Sequence, residues 1–182
     1  MERRNPEDSG PPEGDHPRMS CTGASTTQPA GTVEIKGYQR STLLDWEGKV
    51  ASILFLPGCN FRCPYCHASA LVSRPASLPS VPLAEVESHL LANRGWIDGV
   101  VITGGEATCH EGLSSLIDRL RGCGAMIKLY TNGSRPAVLR RLIESHRLDA
   151  VSMDVKGPLD DRYSRAAGTA VDVVAIRESI RM

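Results

Sequence analysis

The chain has 182 residues, enough to bury one good hydrophobic core, and this length suggests a single domain with an appendage. Its 21 basic and 21 acidic residues balance, so no global electrostatic field recruits nucleic acid or an anionic membrane. No apolar run approaches the roughly 18 residues that span a bilayer, and residues 1–18 lack the apolar centre of a signal peptide. These features predict a cytoplasmic protein that binds neither nucleic acid nor membrane.

The first 31 residues are rich in Pro, Gly, Ser, Thr and charge, with almost no large apolar side chain to bury. Nothing offsets their ordering entropy, so residues 1–31 are predicted to form a disordered leader ahead of a domain over residues 32–182. Cys21 lies in this leader, and we expect it to be a bystander. Apolar Val33 and Ile35 alternate with Glu34, which predicts a short strand or arm before the main sheet. Gly37 is expected to interrupt this segment.

Apolar strands and amphipathic helices then alternate along the chain. Helices are predicted over 68–72, from Pro82 towards Gly95, around 113–122, from Pro136, and from Val173 onward. The predicted main strands cover residues 50–56, 99–103, 126–130 and 150–155, and their continuous apolar runs are typical of a parallel sheet. The pattern predicts an α/β fold with a parallel sheet of about four βα units, too few to close a barrel.

Three cysteines, Cys59, Cys63 and Cys66, stand at C-x₃-C-x₂-C spacing directly after the first of these strands. Thiols this close usually share a metal, and a 4Fe-4S cluster normally takes four cysteines, so three would leave one iron open. A Cys₃His zinc site that includes His67 is the main alternative. A disulfide framework is disfavoured because six cysteines without a secretory segment indicate a reducing compartment, and unligated thiols remain a further alternative.

Polar residues follow each of the four predicted strands. Carboxyl ends of parallel strands meet at one edge of a sheet, where α/β proteins place their functional residues. Each group alone could be a tight turn or a surface ion pair. Together they predict one site, built from the cysteine loop, Gly104, Gly105 and Glu106, Thr131 and Asn132, and Asp154 and Lys156.

The cysteine spacing, with an aromatic residue before the last cysteine and a Gly-Gly-Glu after the next strand, resembles the radical S-adenosylmethionine superfamily. More narrowly, four stretches resemble the activating proteins of anaerobic ribonucleoside-triphosphate reductase: residues 35–38, 58–67, 128–134 and 149–159. The resemblance covers about residues 33–182. It implies a partial, open TIM-like barrel of the radical S-adenosylmethionine type.

The resemblance also implies roles for the site residues. The cysteines would ligate the 4Fe-4S cluster, and Tyr65 would lie by the adenine of S-adenosylmethionine. The methionine amino group would be held by Gly104, Gly105 and Glu106, its carboxylate would lie near Asp154 and Lys156, and Thr131 and Asn132 would line the same pocket. The reduced cluster would split the sulfonium, and the 5′-deoxyadenosyl radical would take a hydrogen from a glycine of the partner. The implied partners are a glycyl radical enzyme, most readily anaerobic ribonucleoside-triphosphate reductase, and a reductant such as flavodoxin or ferredoxin.

The sequence departs from the family pattern in three places. Ala107 stands where the family usually has proline, which would restrict Glu106. Tyr130 stands where related activators often carry an aspartate that helps to form a monovalent-cation site. The chain ends after four predicted strands, whereas longer members have about two more βα units. Two alternatives stay open: a small-molecule enzyme such as a 7-carboxy-7-deazaguanine synthase, and a non-catalytic zinc or iron-sulfur module.

Overall fold

A computed structural model describes residues 32–182. The predicted leader over residues 1–31, with Cys21, lies outside the described residues. Five strands form one sheet: β1 Gly37–Thr42, β2 Ala51–Leu56, β3 Gly99–Gly104, β4 Met126–Thr131 and β5 Ala150–Met153. The helices are α1 Ser69–Ser73, α2 Leu83–Ala92, α3 Leu113–Gly122, α4 Pro136–Glu144, α5 Arg162–Ala167 and α6 Val173–Ile180, with short 3₁₀ turns at Pro75–Ser77 and Ala107–Cys109.

The sheet has the strand order β1-β2-β3-β4-β5. Strand β1 is antiparallel to β2, and β2 to β5 are parallel, which confirms the predicted α/β fold of four parallel strands with helical connections. Each new parallel strand lies next to the one before it, so the strand order follows the chain order, as in the wall of a barrel. In a doubly wound sheet the direction in which strands are added reverses part-way through. The described sheet is open, and all four carboxyl ends lie at one edge.

One face of the sheet is covered by helices. Side chains from three parallel strands, including Leu54, Ile102 and Leu129, form the main core with the apolar stripes of α2, α3 and α4. The predicted amphipathic helix is confirmed as α3, which buries Leu113, Leu116, Ile117 and Leu120. The longest helices have 10 residues, and no helix within residues 32–182 is long and apolar enough to cross a membrane.

The opposite, inner face of the sheet is covered by the connection between β1 and β2. Trp46 packs against Ile53 and Val101 on this face. The carbonyl oxygen of Asp45 accepts hydrogen bonds from Lys128 Nζ at 2.7 Å and from the Tyr130 hydroxyl at 3.0 Å. Because both faces of β2 are buried, its apolar run is continuous.

Two boundaries differ from the sequence prediction. The edge strand begins at Gly37, which pairs with Phe55, instead of lying over residues 33–35. A Cβ at Gly37 would lie 3.1 Å from the Phe55 ring, so glycine allows a close contact between β1 and β2 at this position. The sequence had suggested that Gly37 interrupts the strand. Strand β5 ends at Met153, two residues before the predicted end, and α5 had no sequence prediction.

Candidate active site

A cavity of about 750 Å³ opens at the carboxyl ends of the parallel strands. It brings together every site residue predicted from the sequence, although those residues come from four different strand ends. They are Cys59, Cys63, Tyr65, Cys66, Gly104, Gly105, Glu106, Thr131, Asn132, Asp154 and Lys156. The cavity is therefore the product of the sheet topology, which gathers segments far apart in sequence.

The cysteine loop, residues 57–68, connects β2 to α1 without regular secondary structure. Its three thiols are half-buried. The Phe61 amide donates to Cys59 Sγ at 3.3 Å, and Asn132 Nδ2 lies 3.9 Å from the same sulfur. Amide donors around a cysteine sulfur stabilise its thiolate form and tune an attached metal.

Burial raises the pKa of the Cys59 thiol to about 11, against a smaller opposing effect of the Phe61 amide. Burial also raises the pKa of Cys63, while the nearby Lys156 charge lowers it. At neutral pH these thiols are protonated in the absence of a metal. Metal binding must therefore displace protons from the loop, and the metal supplies the charge that stabilises the buried thiolates.

The diglycine at the end of β3 packs directly on the start of the cysteine loop. Gly105 N donates to the Leu56 carbonyl and Glu106 N to the Gly58 carbonyl, each at 2.8 Å. A Cβ on Gly105 would lie 1.6 Å from the Gly58 oxygen, and Gly104 has a φ of 117° that side chains rarely adopt. Both glycines are thus required for the contact between two strand ends.

The Glu106 carboxylate is buried at 1% exposure and is hydrogen-bonded by protein donors. It accepts hydrogen bonds from the Thr108 amide at 3.1 Å, the Thr108 hydroxyl at 2.5 Å, the Thr131 hydroxyl at 2.7 Å and the Asn132 amide at 2.7 Å. Three of these bonds end on Oε1 and only the Asn132 amide bonds to Oε2, so Oε2 keeps an acceptor position. Glu106 lines the cavity together with the two glycines.

Two residues that the sequence prediction missed connect β4 to the cysteine loop. Asn132 Nδ2 donates to Asn60 Oδ1 at 3.0 Å, and Asn60 Nδ2 donates to Ser134 Oγ at 2.8 Å. Asn60 directly follows Cys59 in sequence, and Ser134 belongs to the predicted strand-end segment. Both residues could have been recognised as site candidates from their positions in sequence. Those positions do not show that the two side chains bond to each other.

At the rim of the cavity, Lys156 Nζ donates a hydrogen bond to the Asp154 carboxylate. Burial disfavours the charged amine, but the bond to Asp154 raises the Lys156 pKa overall, so the ammonium form is retained. The Tyr65 ring is half exposed, and its hydroxyl donates to the Lys156 carbonyl at 3.2 Å. This rim offers an ammonium group, a carboxylate and an aromatic surface to a ligand.

The donor set fits a cluster held at three of its irons. Three thiols lie on one loop and face one cavity. Cys63 and Cys66 help to raise the pKa of Cys59, and Cys66 helps to raise the pKa of Cys63, although burial is the larger cause in both cases. Within residues 32–182 no three His, Cys, Asp or Glu side chains converge closely enough to surround a single metal ion. His67 lines the cavity but does not complete a Cys₃His zinc site in this arrangement.

The fold and the three-cysteine loop together define a class of protein. The chain belongs to the radical SAM superfamily, whose family model matches residues 53–182. Members of this superfamily use a 4Fe-4S cluster and S-adenosylmethionine. Cys59, Cys63 and Cys66 all fall within the matched region, as do the other predicted site residues.

Among known proteins, the chain is similar to one from Methanocaldococcus jannaschii that is named provisionally as a glycyl-radical enzyme activating enzyme. The two are 30% identical over 128 residues, which is 69% of this chain and 51% of the relative. A 7-carboxy-7-deazaguanine synthase from Hyperthermus butylicus is 34% identical over 94 residues, 51% of this chain and 39% of the relative. The chain thus spans about half or less of the length of these relatives.

A solved structure also matches part of the chain. The crystal structure of QueE from Escherichia coli gives a TM-score of 0.45 at 22% sequence identity. The match covers 56% of this chain and 53% of QueE.

Proposed function

We propose that this protein is a cytoplasmic activating enzyme that generates a glycyl radical on a partner enzyme, and that this partner is anaerobic ribonucleoside-triphosphate reductase. The observation that carries the proposal is the convergence of the cysteine loop, the diglycine turn and the Asp154–Lys156 rim on one open cavity. Similarity to two Methanocaldococcus jannaschii proteins with provisional activating-enzyme names supports the choice among radical SAM reactions.

Each part of the cavity has a task in this proposal. Cys59, Cys63 and Cys66 hold the 4Fe-4S cluster, which with S-adenosylmethionine supplies one-electron reductive cleavage of the sulfonium. The carbonyl groups of residues 104–106 and the Glu106 carboxylate, which keeps an acceptor position on Oε2, accept hydrogen bonds from the methionine amino group. The Lys156 ammonium binds the methionine carboxylate.

The remaining residues orient the cofactor and leave space for the substrate. The Tyr65 ring supports the adenine by stacking, and Thr131 and Asn132 form the wall between the cysteine loop and β4. Tyr130, held by the Asp45 carbonyl, closes the cavity towards the inner face of the sheet. A backbone segment of the partner approaches from the open side of the cavity. Electrons come from a reductant such as flavodoxin or ferredoxin.

The test is the appearance of a glycyl radical. The chain is reconstituted with iron and sulfide under anaerobic conditions and mixed with the reductase, a reductant and S-adenosylmethionine. We expect a glycyl signal by electron paramagnetic resonance on the reductase, together with formation of 5′-deoxyadenosine. Cofactor cleavage without a glycyl signal would contradict the assignment of this partner.

A second candidate function is supported by similarity to 7-carboxy-7-deazaguanine synthases from several organisms. In that case the substrate is a small molecule, and the protein needs no glycyl radical enzyme. Cofactor cleavage would then rise on addition of the small-molecule substrate and remain unchanged on addition of the reductase. The two candidates are thus separated by which addition stimulates cleavage.

Alanine substitutions of the loop thiols test the ligand assignment. Cys59→Ala, Cys63→Ala and Cys66→Ala each remove a ligand, so we expect complete loss of 5′-deoxyadenosine formation and a fall in bound iron. Cys123→Ala is the matched control, because Cys123 is a buried thiol next to α3 that does not line the cavity. Cys21→Ala should also remain active. Turnover in any of the three loop variants would refute the assignment.

A further inference from the structure

Residues 154–168, which follow β5 and include α5, contact the cysteine loop at two separate places. We call this segment the clasp. The loop has no regular secondary structure of its own, so other parts of the chain must fix the positions of its thiols. Within the clasp, only the Asp154–Lys156 rim has a role in the cofactor contacts proposed above.

The first contact is made by the end of α5 with the middle of the loop. The Arg62 amide donates to the Ala167 carbonyl at 2.8 Å. Gly168 caps α5 with a left-handed φ of 65°, and a Cβ on this residue would lie 2.0 Å from the Arg62 carbonyl oxygen. Only glycine allows the helix end and the loop backbone to approach this closely.

An aromatic pair strengthens this contact. The Phe61 and Tyr163 rings meet edge to face, with centroids 6.5 Å apart, and their exposures are 4% and 0%. They form a small apolar cluster with Ala167 and Ile176, against which Cys59 and Cys63 pack. Two of the three thiols therefore rest on a surface that the clasp helps to build.

The second contact holds the other part of the loop. The Tyr163 hydroxyl accepts a hydrogen bond from the Lys156 amide at 3.2 Å, and the Lys156 carbonyl accepts one from the Tyr65 hydroxyl at 3.2 Å. Tyr163 is thus common to both contacts: its ring packs on Phe61, and its hydroxyl fixes the backbone to which Tyr65 is bonded.

We propose that the clasp is a positioning element that holds the cysteine loop in its ligand-binding conformation before the cluster is bound, with Gly168 and Tyr163 as its positioning residues. Ordering an irregular loop costs conformational entropy, and a loop that is ordered in advance binds its ligand more tightly. The inference concerns cluster binding and holds for either candidate function, so it is tested without a glycyl radical assay.

Gly168→Ala tests the first contact. Gly95→Ala is its matched control, because Gly95 also has a left-handed φ, 86°, but a Cβ there would meet no atom within 4 Å. Both variants place alanine in a left-handed backbone conformation, at a similar cost in stability. Only the Gly168→Ala side chain would clash with the backbone of the cysteine loop. We expect iron to pass from reconstituted Gly168→Ala to a chelator about tenfold faster than from Gly95→Ala. Hydrogen exchange of residues 59–66 in the cluster-free protein should rise only in Gly168→Ala.

Tyr163→Phe tests the second contact and keeps the proposal falsifiable if Gly168→Ala does not fold. This variant retains the ring packed on Phe61 and loses the acceptor for the Lys156 amide. We expect faster hydrogen exchange at Lys156 and at Tyr65 of the cysteine loop in the cluster-free protein, and weaker binding of S-adenosylmethionine to the cluster-loaded protein, with iron release close to that of the unmodified protein. Equal iron release from the two glycine variants, or unchanged exchange and binding in Tyr163→Phe, would overturn the proposal.

Discussion

Glu106 connects three segments of the active site through one buried carboxylate. Its oxygens accept hydrogen bonds from both the amide and the hydroxyl of Thr108 on its own turn, and from the Thr131 hydroxyl and the Asn132 amide at the end of β4. Its own amide donates to the Gly58 carbonyl ahead of the cysteines. Glu106 therefore fixes the distance between β3, β4 and the cysteine loop.

Glu106→Gln should lower the stability of the cluster-free protein. The amide group of glutamine would replace one acceptor oxygen with a donor that faces protein donors. Buried unsatisfied donors of this kind cost about 2 kcal/mol in the free energy of unfolding. Urea unfolding at neutral pH measures the loss, and Glu111→Gln, at an exposed acidic residue five positions later, is the control. Equal urea midpoints for the two variants would contradict the role of Glu106 in joining β3, β4 and the cysteine loop.

The neighbouring Ala107 shows what local sequence reasoning could not resolve. We expected the absence of a proline there to leave Glu106 less restricted. Glu106 nevertheless has an extended backbone, with φ −126° and ψ 107°, and its side chain caps the 3₁₀ turn Ala107–Cys109. The restraint comes from hydrogen bonds to β4, 25 residues away in sequence, which no local pattern contains.

At the scale of elements, two aspartates each precede a parallel strand and bond to the backbone of a neighbouring segment. Asp98, before β3, accepts from the Val50 amide at 2.8 Å. Asp149, before β5, accepts from the Ile127 amide at 2.7 Å and from Arg121 at 2.6 Å. These bonds satisfy backbone donors at the edge of the sheet opposite the active site, and they help to set the strand register.

Asp149→Ala should destabilise the sheet by about 1–2 kcal/mol, because it leaves the Ile127 amide without its acceptor and removes the partner of Arg121. Asp149→Asn keeps an acceptor oxygen and should lose less. Asp118→Ala is the control, since its solvent-exposed pair with Arg147 should contribute little to the free energy of unfolding. Thermal or urea unfolding ranks the three variants, and a larger loss for Asp118→Ala would contradict the expectation.

How well each element could be predicted depended on how much of its surface is buried. Strand β2 is buried on both faces and α3 has a regular apolar stripe, so both are visible as patterns. Strand β1 is an antiparallel edge strand whose residues are mostly exposed or half-buried, and its position was wrong in the prediction. Helix α5 has six residues, too few to show a period, and its role depends on contacts with the loop.

At the scale of the whole molecule, the strand order alone gathers the site. Four polar strand ends could be recognised from the sequence, and the parallel sheet places them around one cavity. The closure of that cavity on the inner face could not be foreseen. It depends on Tyr130, which lines the cavity and bonds to the Asp45 carbonyl, as Lys128 does; these bonds join residues more than 80 positions apart.

His110 links the overall stability of this arrangement to pH. Its ring Nε2 lies 2.8 Å from the Pro57 carbonyl, just ahead of the cysteine loop, so the neutral ring donates there. Burial lowers the pKa of His110 below its ordinary value of 6.5, against a smaller opposing effect of the Pro57 bond. The unfolded chain therefore binds this proton more readily than the folded protein does. The stability that His110 contributes is present above pH 6.5 and is lost as the pH falls below it.

We expect the free energy of unfolding of the cluster-free protein to decrease between pH 7.5 and pH 5, and His110→Gln to reduce the size of that decrease. At pH 7.5 the variant itself should be about 1 kcal/mol less stable, because glutamine cannot reproduce the buried bond to the Pro57 carbonyl. His146→Asn, at an exposed residue whose φ of 52° suits asparagine, is the control and should keep the full decrease. Burial also lowers the pKa of His89, but His89 is present in all three proteins and cancels in the comparison. Parallel pH profiles for the original protein and His110→Gln would show that His110 does not link folding to proton binding.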